Sequence, residues 1–222
     1  MAWGWQLWLS PRPTRRTRTP AEPRMLSVDD AALYEFNYED GGRLSVRETH
    51  YADNPSVKAG LSGPPLHIHL RQTEFFEVEQ GVLVVVRNEQ ESVLTKEDGV
   101  VVIPPGTRHR FWAHSSNKGD LVFKVHAEPH DAEHGFDEAY LRNALGYLRD
   151  CQREKLEPSV FQLALFGCMS ETVLTPPFWV PLWILSLLHH VLAYWIAAPL
   201  LGYQATYPEY SKEDQGDTHK WD

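Results

Sequence analysis

Apolar positions in this chain follow two different periods. Between Leu33 and Ala127 they fall in short runs in which apolar and polar residues alternate: 33–38, 43–50, 66–70, 74–79, 82–87, 92–95, 99–103, 108–114 and 121–127. A period of two sends successive side chains to opposite faces, so each run reads as a strand with one buried face. Turn chemistry separates them at Gly41-Gly42, Asn88-Glu89, Asp98-Gly99, Pro105-Gly106 and Lys118-Gly119-Asp120. Many short strands at this spacing predict a closed antiparallel sandwich or barrel, an arrangement that limits exposed edges. After Pro129 the period lengthens. Phe136, Tyr140, Leu141, Ala144, Leu148 and Cys151 share one helical face, with Asp137 and Glu138 in the first turn and Arg153 and Lys155 near the end. A second, more apolar helix is predicted from Pro158 to about Val173.

These patterns divide the chain into a basic leader predicted to be disordered (1–30), a barrel (31–130), amphipathic helices (131–175), and an apolar segment with a polar tail (176–222). The leader opens with a short Trp-rich run and continues with Arg12, Arg15, Arg16 and Arg18 among prolines. Its charge follows the apolar run, the reverse of a secretory signal, while its lack of acids before Glu22 leaves an organellar or membrane-surface role as the second reading. Residues 172–208 hold no Asp, Glu, Lys or Arg. Within them 178–201 is almost wholly apolar, and at about 24 residues it is long enough for the roughly 30 Å core of a bilayer. His189, His190, Pro181 and Pro199 stand against a spanning helix, so the alternatives are a membrane anchor and a greasy helix docked on the barrel. If it spans, Arg149, Arg153 and Lys155 on its N-terminal side place the barrel in the cytoplasm.

Composition narrows the function class. At 222 residues the chain is long enough for one domain with a sizeable core. A formal charge of -9 and a pI near 5.6 argue against a nucleic-acid partner. Cys151 and Cys168 have no CxxC partner, which indicates no disulfide framework and suits a reducing compartment.

The candidate chemistry lies in PLHIHLRQTEFFEVEQG, residues 65–81, and in GVVVIPPGTRHRF, residues 99–111. On a strand His67 and His69 leave the same face; Glu74 opens a second strand on which Phe76 and Val78 share its side; on a third, His109 and Phe111 point together. Three imidazoles and one carboxylate suit a divalent first-row metal such as Fe, Mn, Ni, Cu or Zn, with positions left for water or substrate. Glu74 is then a fourth ligand or, when displaced, a carboxylate able to take a substrate proton. Phe76, Val78 and Phe111, joined by Tyr34 or Tyr38, are expected to line a cavity for a small, largely apolar molecule. His114, His126, His130 and His134 read as surface or supporting groups.

These spacings resemble the two motifs of the cupin superfamily, type-2 single-domain branch: His67-x-His69-x4-Glu74-x6-Gly81, then Gly99-x4-Pro104-x-Gly106-x2-His109. Three departures leave the ligand positions intact. The glycine ahead of the first histidine is displaced to Gly60 or Gly63, Gly99 stands one residue closer to Pro104 than usual, and Ala113 replaces the closing asparagine. The resemblance implies a mainly β cupin double-stranded β-helix, a jelly-roll barrel, with a C-terminal helical extension, and a homodimer. It also implies a metal-dependent oxidoreductase acting on a small aromatic or polyketide-like metabolite, as in fungal specialised-metabolite pathways. A metal-dependent isomerase or decarboxylase, and a non-catalytic barrel that binds a small ligand, are the alternatives.

Overall fold

The computed structural model describes residues 4–130, 132 and 134–212. Its strands are β1 (Arg24–Leu26), β2 (Ala32–Tyr38), β3 (Leu44–His50), β4 (His67–His69), β5 (Thr73–Gln80), β6 (Leu83–Arg87), β7 (Gln90–Leu94), β8 (Val100–Ile103), β9 (His109–Ala113), β10 (Leu121–Glu128) and β11 (Thr172–Leu174). The helices are α1 (Gly4–Leu9), α2 (Pro55–Lys58), α3 (Glu138–Arg153), α4 (Val160–Met169) and α5 (Leu182–His190), the last continued by a π-helical turn over Val191–Ala197. Two antiparallel sheets result, one in the order β1-β2-β3-β10-β5-β8 and the other β11-β4-β9-β6-β7.

Period-two alternation puts one face of each sheet inward. Val46, Phe76, Val78, Leu83, Val85, Phe111, Phe123 and Val125 form a single buried cluster drawn from both sheets. Each large side chain so buried contributes about 1.5–3 kcal/mol, and this sandwich core holds the barrel shut. Its centre is aromatic: Phe111 meets Phe76 edge-on at 5.0 Å and Phe123 at 5.5 Å between ring centroids. Tyr34 joins this interior, whereas Tyr38 lies 61% exposed and donates its hydroxyl to Glu138. Tyr38 therefore does not face the barrel interior, because β2 runs out of the sandwich at its C-terminal end.

Residues 4–30 are not the free leader expected from composition. Backbone N–H groups of Thr14 and Arg15 donate to Glu154, Thr17 donates from both its N–H and its hydroxyl to Asp150, and Arg142 donates to the carbonyls of Thr19 and Glu22. The segment is strapped along α3 and ends in β1, which pairs with β2. Acidic and basic side chains on α3 and at its C-terminal cap satisfy a backbone that has no sheet partner of its own until Arg24.

The predicted helix from Pro158 to Val173 stops at Met169. Glu171 takes a left-handed conformation (φ 48°), and Thr172–Leu174, two of them β-branched, become a strand against β4 with Thr172 opposite His69 and Leu174 opposite His67. Within 178–201 no single long helix forms. Among the described residues no helix is long and apolar enough to cross a membrane. The segment docks instead: Ala193, Ala197, Leu201 and Tyr203 pack on Leu165 of α4, the small alanines allowing close approach. His189, unexpected in so apolar a run, donates Nδ1–H to the Leu185 carbonyl and accepts from Leu174 N–H, tying α5 to β11. The outer face leaves Trp179, Trp183, Leu187 and Trp195 exposed.

Candidate metal centre

The two sheets bring His67, His69, Glu74 and His109 together. β4 and β9 are neighbours, with His67 directly opposite His109, while Glu74 reaches across from β5 in the facing sheet. The Pro104-Pro105-Gly106 turn is pinned behind them by Gly106 N–H donating to the His69 carbonyl at 2.8 Å. One donor atom from each of the four residues lies within 4.8 Å of every other, and all four side chains are buried.

Hydrogen bonds dictate which ring nitrogens face inward. His67 Nδ1 lies 2.9 Å from the Pro65 carbonyl and His109 Nδ1 lies 2.9 Å from the Thr107 carbonyl. A carbonyl only accepts, so both Nδ1 atoms carry hydrogen and both Nε2 atoms turn inward. There His67 Nε2 stands 3.2 Å from His69 Nε2, His69 Nε2 stands 3.2 Å from Glu74 Oε1, and His109 Nε2 stands 2.7 Å from Glu74 Oε2. Ligands bound at about 2.0–2.1 Å on one ion lie roughly 3 Å from one another, so these spacings fit a shared cation. Burial pushes the His67 imidazole down to about 3, with His109 and His69 adding to the effect, which keeps it neutral and ready to ligate. Burial alone would raise the Glu74 carboxyl, but His69 and His109 hold it well below the ordinary carboxylate range. The set is one ionised carboxylate among imidazoles, the donor chemistry a divalent first-row metal takes.

A family model described as Cupin domain matches residues 56–125, the span of both motifs. The chain is 56% identical over 213 residues to "Probable oxidoreductase virH" of Hypocrea virens, covering 96% of this chain and 97% of that protein. It is also 51% identical over 205 residues to "Oxidoreductase iacF" of Pestalotiopsis fici, covering 91% and 100%. The chain belongs to the cupin-domain oxidoreductases. Among solved structures, KdgF from Halomonas sp. is 18% identical with a TM-score of 0.37, covering 53% of this cupin and 97% of that chain.

Around the cluster the cupin places residues that strand patterns did not single out. Phe136, ahead of α3, stands edge-on to His69 at 6.3 Å and covers that side of the site. A second polar group lies deeper in the barrel: His50 faces Glu48 Oε2 through Nε2 at 3.0 Å and Ser62 Oγ through Nδ1 at 2.8 Å, all three buried. Burial raises the Glu48 carboxyl against the opposing pull of His50 and Tyr34. The signal for this group was present in β3, where Glu48 and His50 share the inward period with Leu44 and Val46. His114, His126, His130 and His134 stay outside the cluster, His126 stacking on Phe75 at 4.7 Å. Surface clefts of about 540 Å³, between the N-terminal strap and α3, and about 200 Å³, over β11 and α5, lie outside the barrel.

Proposed function

We propose that this cupin is a metal-dependent oxidoreductase in which His67, His69, Glu74 and His109 hold one divalent metal ion, with a small aromatic or polyketide-like metabolite as substrate. The observation that carries the reading is the convergence of three imidazole Nε2 atoms and both Glu74 oxygens on one buried point. Bound there, Fe, Mn, Ni, Cu or Zn supplies Lewis-acid chemistry or, for the redox-active ions, electron transfer to dioxygen. The protein's own part is to orient the substrate and keep water out. Phe76, Val78 and Phe111 do not line an open cavity, since with Phe123 they are packed against one another in the closed core; the aromatic ring beside a ligand is Phe136, edge-on to His69, and it favours a flat, weakly polar substrate. Both Glu74 oxygens already face imidazoles, so Glu74 serves first as a ligand and takes a proton only when displaced from that role.

Two assembly readings accompany this one. Exposed Val100 and Val102 on edge strand β8 favour pairing into a homodimer, which light scattering tests directly. The exposed tryptophans of 178–200 favour lying against a membrane surface, with the barrel on the cytoplasmic side, where the free thiols Cys151 and Cys168 stay reduced.

The test loads the purified protein with Fe²⁺, offers it a panel of aromatic and polyketide-type metabolites, and follows dioxygen uptake alongside product. Uptake matched to product by the wild type and lost in His109→Ala supports the reading. Turnover with no dioxygen consumed transfers the site to an isomerase or decarboxylase.

A further inference from the structure

The three imidazoles of the cluster are not held in the same way. His67 and His109 each donate Nδ1–H to the carbonyl two residues earlier on their own segment, Pro65 and Thr107. His69 has a different partner: its Nδ1 lies 3.0 Å from the hydroxyl of Thr172, on β11, more than a hundred residues later in the chain. A hydroxyl both donates and accepts, so this contact alone leaves the His69 tautomer open. The Thr172 hydroxyl has a second neighbour, the Ser170 carbonyl at 3.2 Å, which only accepts.

We infer that Thr172 is the positioning residue of His69: its hydroxyl gives its single hydrogen to the Ser170 carbonyl and accepts from His69 Nδ1–H, so that Nε2 is the nitrogen turned toward His67 and Glu74 and left to ligate a metal. This rests on the metal-centre reading above. The placement is built, not incidental. Thr172 is 3% exposed and pairs directly with His69 across β4 and β11. Ser170, whose carbonyl fixes the hydroxyl, caps the end of α4. Behind both stands Gly167 of α4, where a Cβ would come within 2.5 Å of the Thr172 carbonyl, so only glycine lets the helix press β11 against β4. The cupin domain match ends at residue 125, so the group that orients one of its candidate ligands comes from outside it, in the C-terminal extension.

The experiment compares wild type, Thr172→Val, which keeps β-branching and near-equal volume but removes the hydroxyl, and Thr172→Ser, which restores it. In metal-free protein, long-range ¹⁵N–¹H correlation reads the His69 tautomer directly. Wild type and Thr172→Ser are expected to hold hydrogen on Nδ1, and Thr172→Val to lose that single tautomer. Co²⁺ affinity by chelator competition is expected to fall about 10- to 100-fold in Thr172→Val and to return to within about threefold of wild type in Thr172→Ser. A wild-type His69 with no hydrogen on Nδ1 overturns the inference without any variant, as does a Thr172→Val protein with unchanged Nδ1 protonation and Co²⁺ affinity. A wild type that holds Nδ1–H but binds no Co²⁺ refutes the metal reading alone.

Discussion

Gly63→Ala measures how tightly the approach to the centre is built. Gly63 lies in the loop between α2 and β4, so close to β9 that a Cβ would stand 1.7 Å from the Phe111 carbonyl oxygen and 2.8 Å from its carbon. Ordinary Cβ contacts begin near 3.4 Å, and the obstacle here is backbone, so loop or strand must yield. Overpacking of this kind costs about 1–3 kcal/mol, and a backbone neighbour that cannot rotate away puts this case at about 3 kcal/mol. For a chain of this size that is a fall of about 6–12 °C in melting temperature. The same shift reaches the centre from two sides: β9 carries His109, and the loop leads to Pro65, whose carbonyl holds His67. Gly99→Ala is the control. Its Cβ meets open space, and only its backbone conformation (φ 65°, ψ -146°), one that glycine alone adopts readily, opposes it, at about 1–3 kcal/mol, so it separates backbone strain from crowding. Calorimetry on the metal-free proteins and Co²⁺ titration of each supply the two readouts. A Gly63→Ala protein that melts within about 2 °C of wild type and keeps its Co²⁺ affinity would refute this packing argument.

Glu74→Gln keeps the shape but removes the charge; three imidazoles are expected to retain the metal at saturating concentration while turnover falls about 100-fold or more, and an unchanged rate makes Glu74 a bystander. Glu48→Gln tests the deeper polar group. Because burial raises the Glu48 carboxyl above its ordinary 4.5, the stability it contributes is present below that value and lost as pH rises through the raised one. Glu48→Gln cannot ionise, so its stability relative to wild type should grow from pH 4 toward neutrality; a difference that stays constant with pH contradicts the assignment. Trp183→Ser combined with Trp195→Ser is expected to abolish flotation of the protein with phosphatidylcholine–phosphatidylserine vesicles, and a wild type that never floats removes the membrane-surface reading.

Much of the barrel was legible because an inward-facing strand writes its burial into every second residue. β2, β3 and β5 to β10 fall within a residue or two of the runs that alternation marked. The cluster of His67, His69, Glu74 and His109 was legible for the same reason: polar residues at inward positions stand out against Val and Phe. What escaped was anything set by partners distant in sequence. β11 is only three residues long and follows a helix directly, so its Thr-Val-Leu reads as the helix end until β4 is there to pair with it. The N-terminal strap is ordered by Arg142 and Asp150 on α3 and Glu154 at its C-terminal cap, which no local pattern in residues 4–23 announces. The apolar run 178–201 carried enough hydrophobicity for a bilayer, yet its alanines, spaced to meet α4, settle one face against protein. The displaced motif glycine, Gly60 or Gly63, is the reverse case, since both positions lie against β9, Gly60 on the Trp112 ring and Gly63 on the Phe111 carbonyl.

One divalent metal held by His67, His69, His109 and Glu74 is the proposal that everything else here depends on. X-ray absorption at the metal edge of the Co²⁺- or Zn²⁺-loaded protein counts ligands directly. Three imidazoles and carboxylate oxygen are expected around the metal, with metal–nitrogen distances of about 2.0–2.1 Å, and one imidazole fewer in His67→Ala. Sulfur around the metal, or an imidazole count that His67→Ala leaves unchanged, would contradict it.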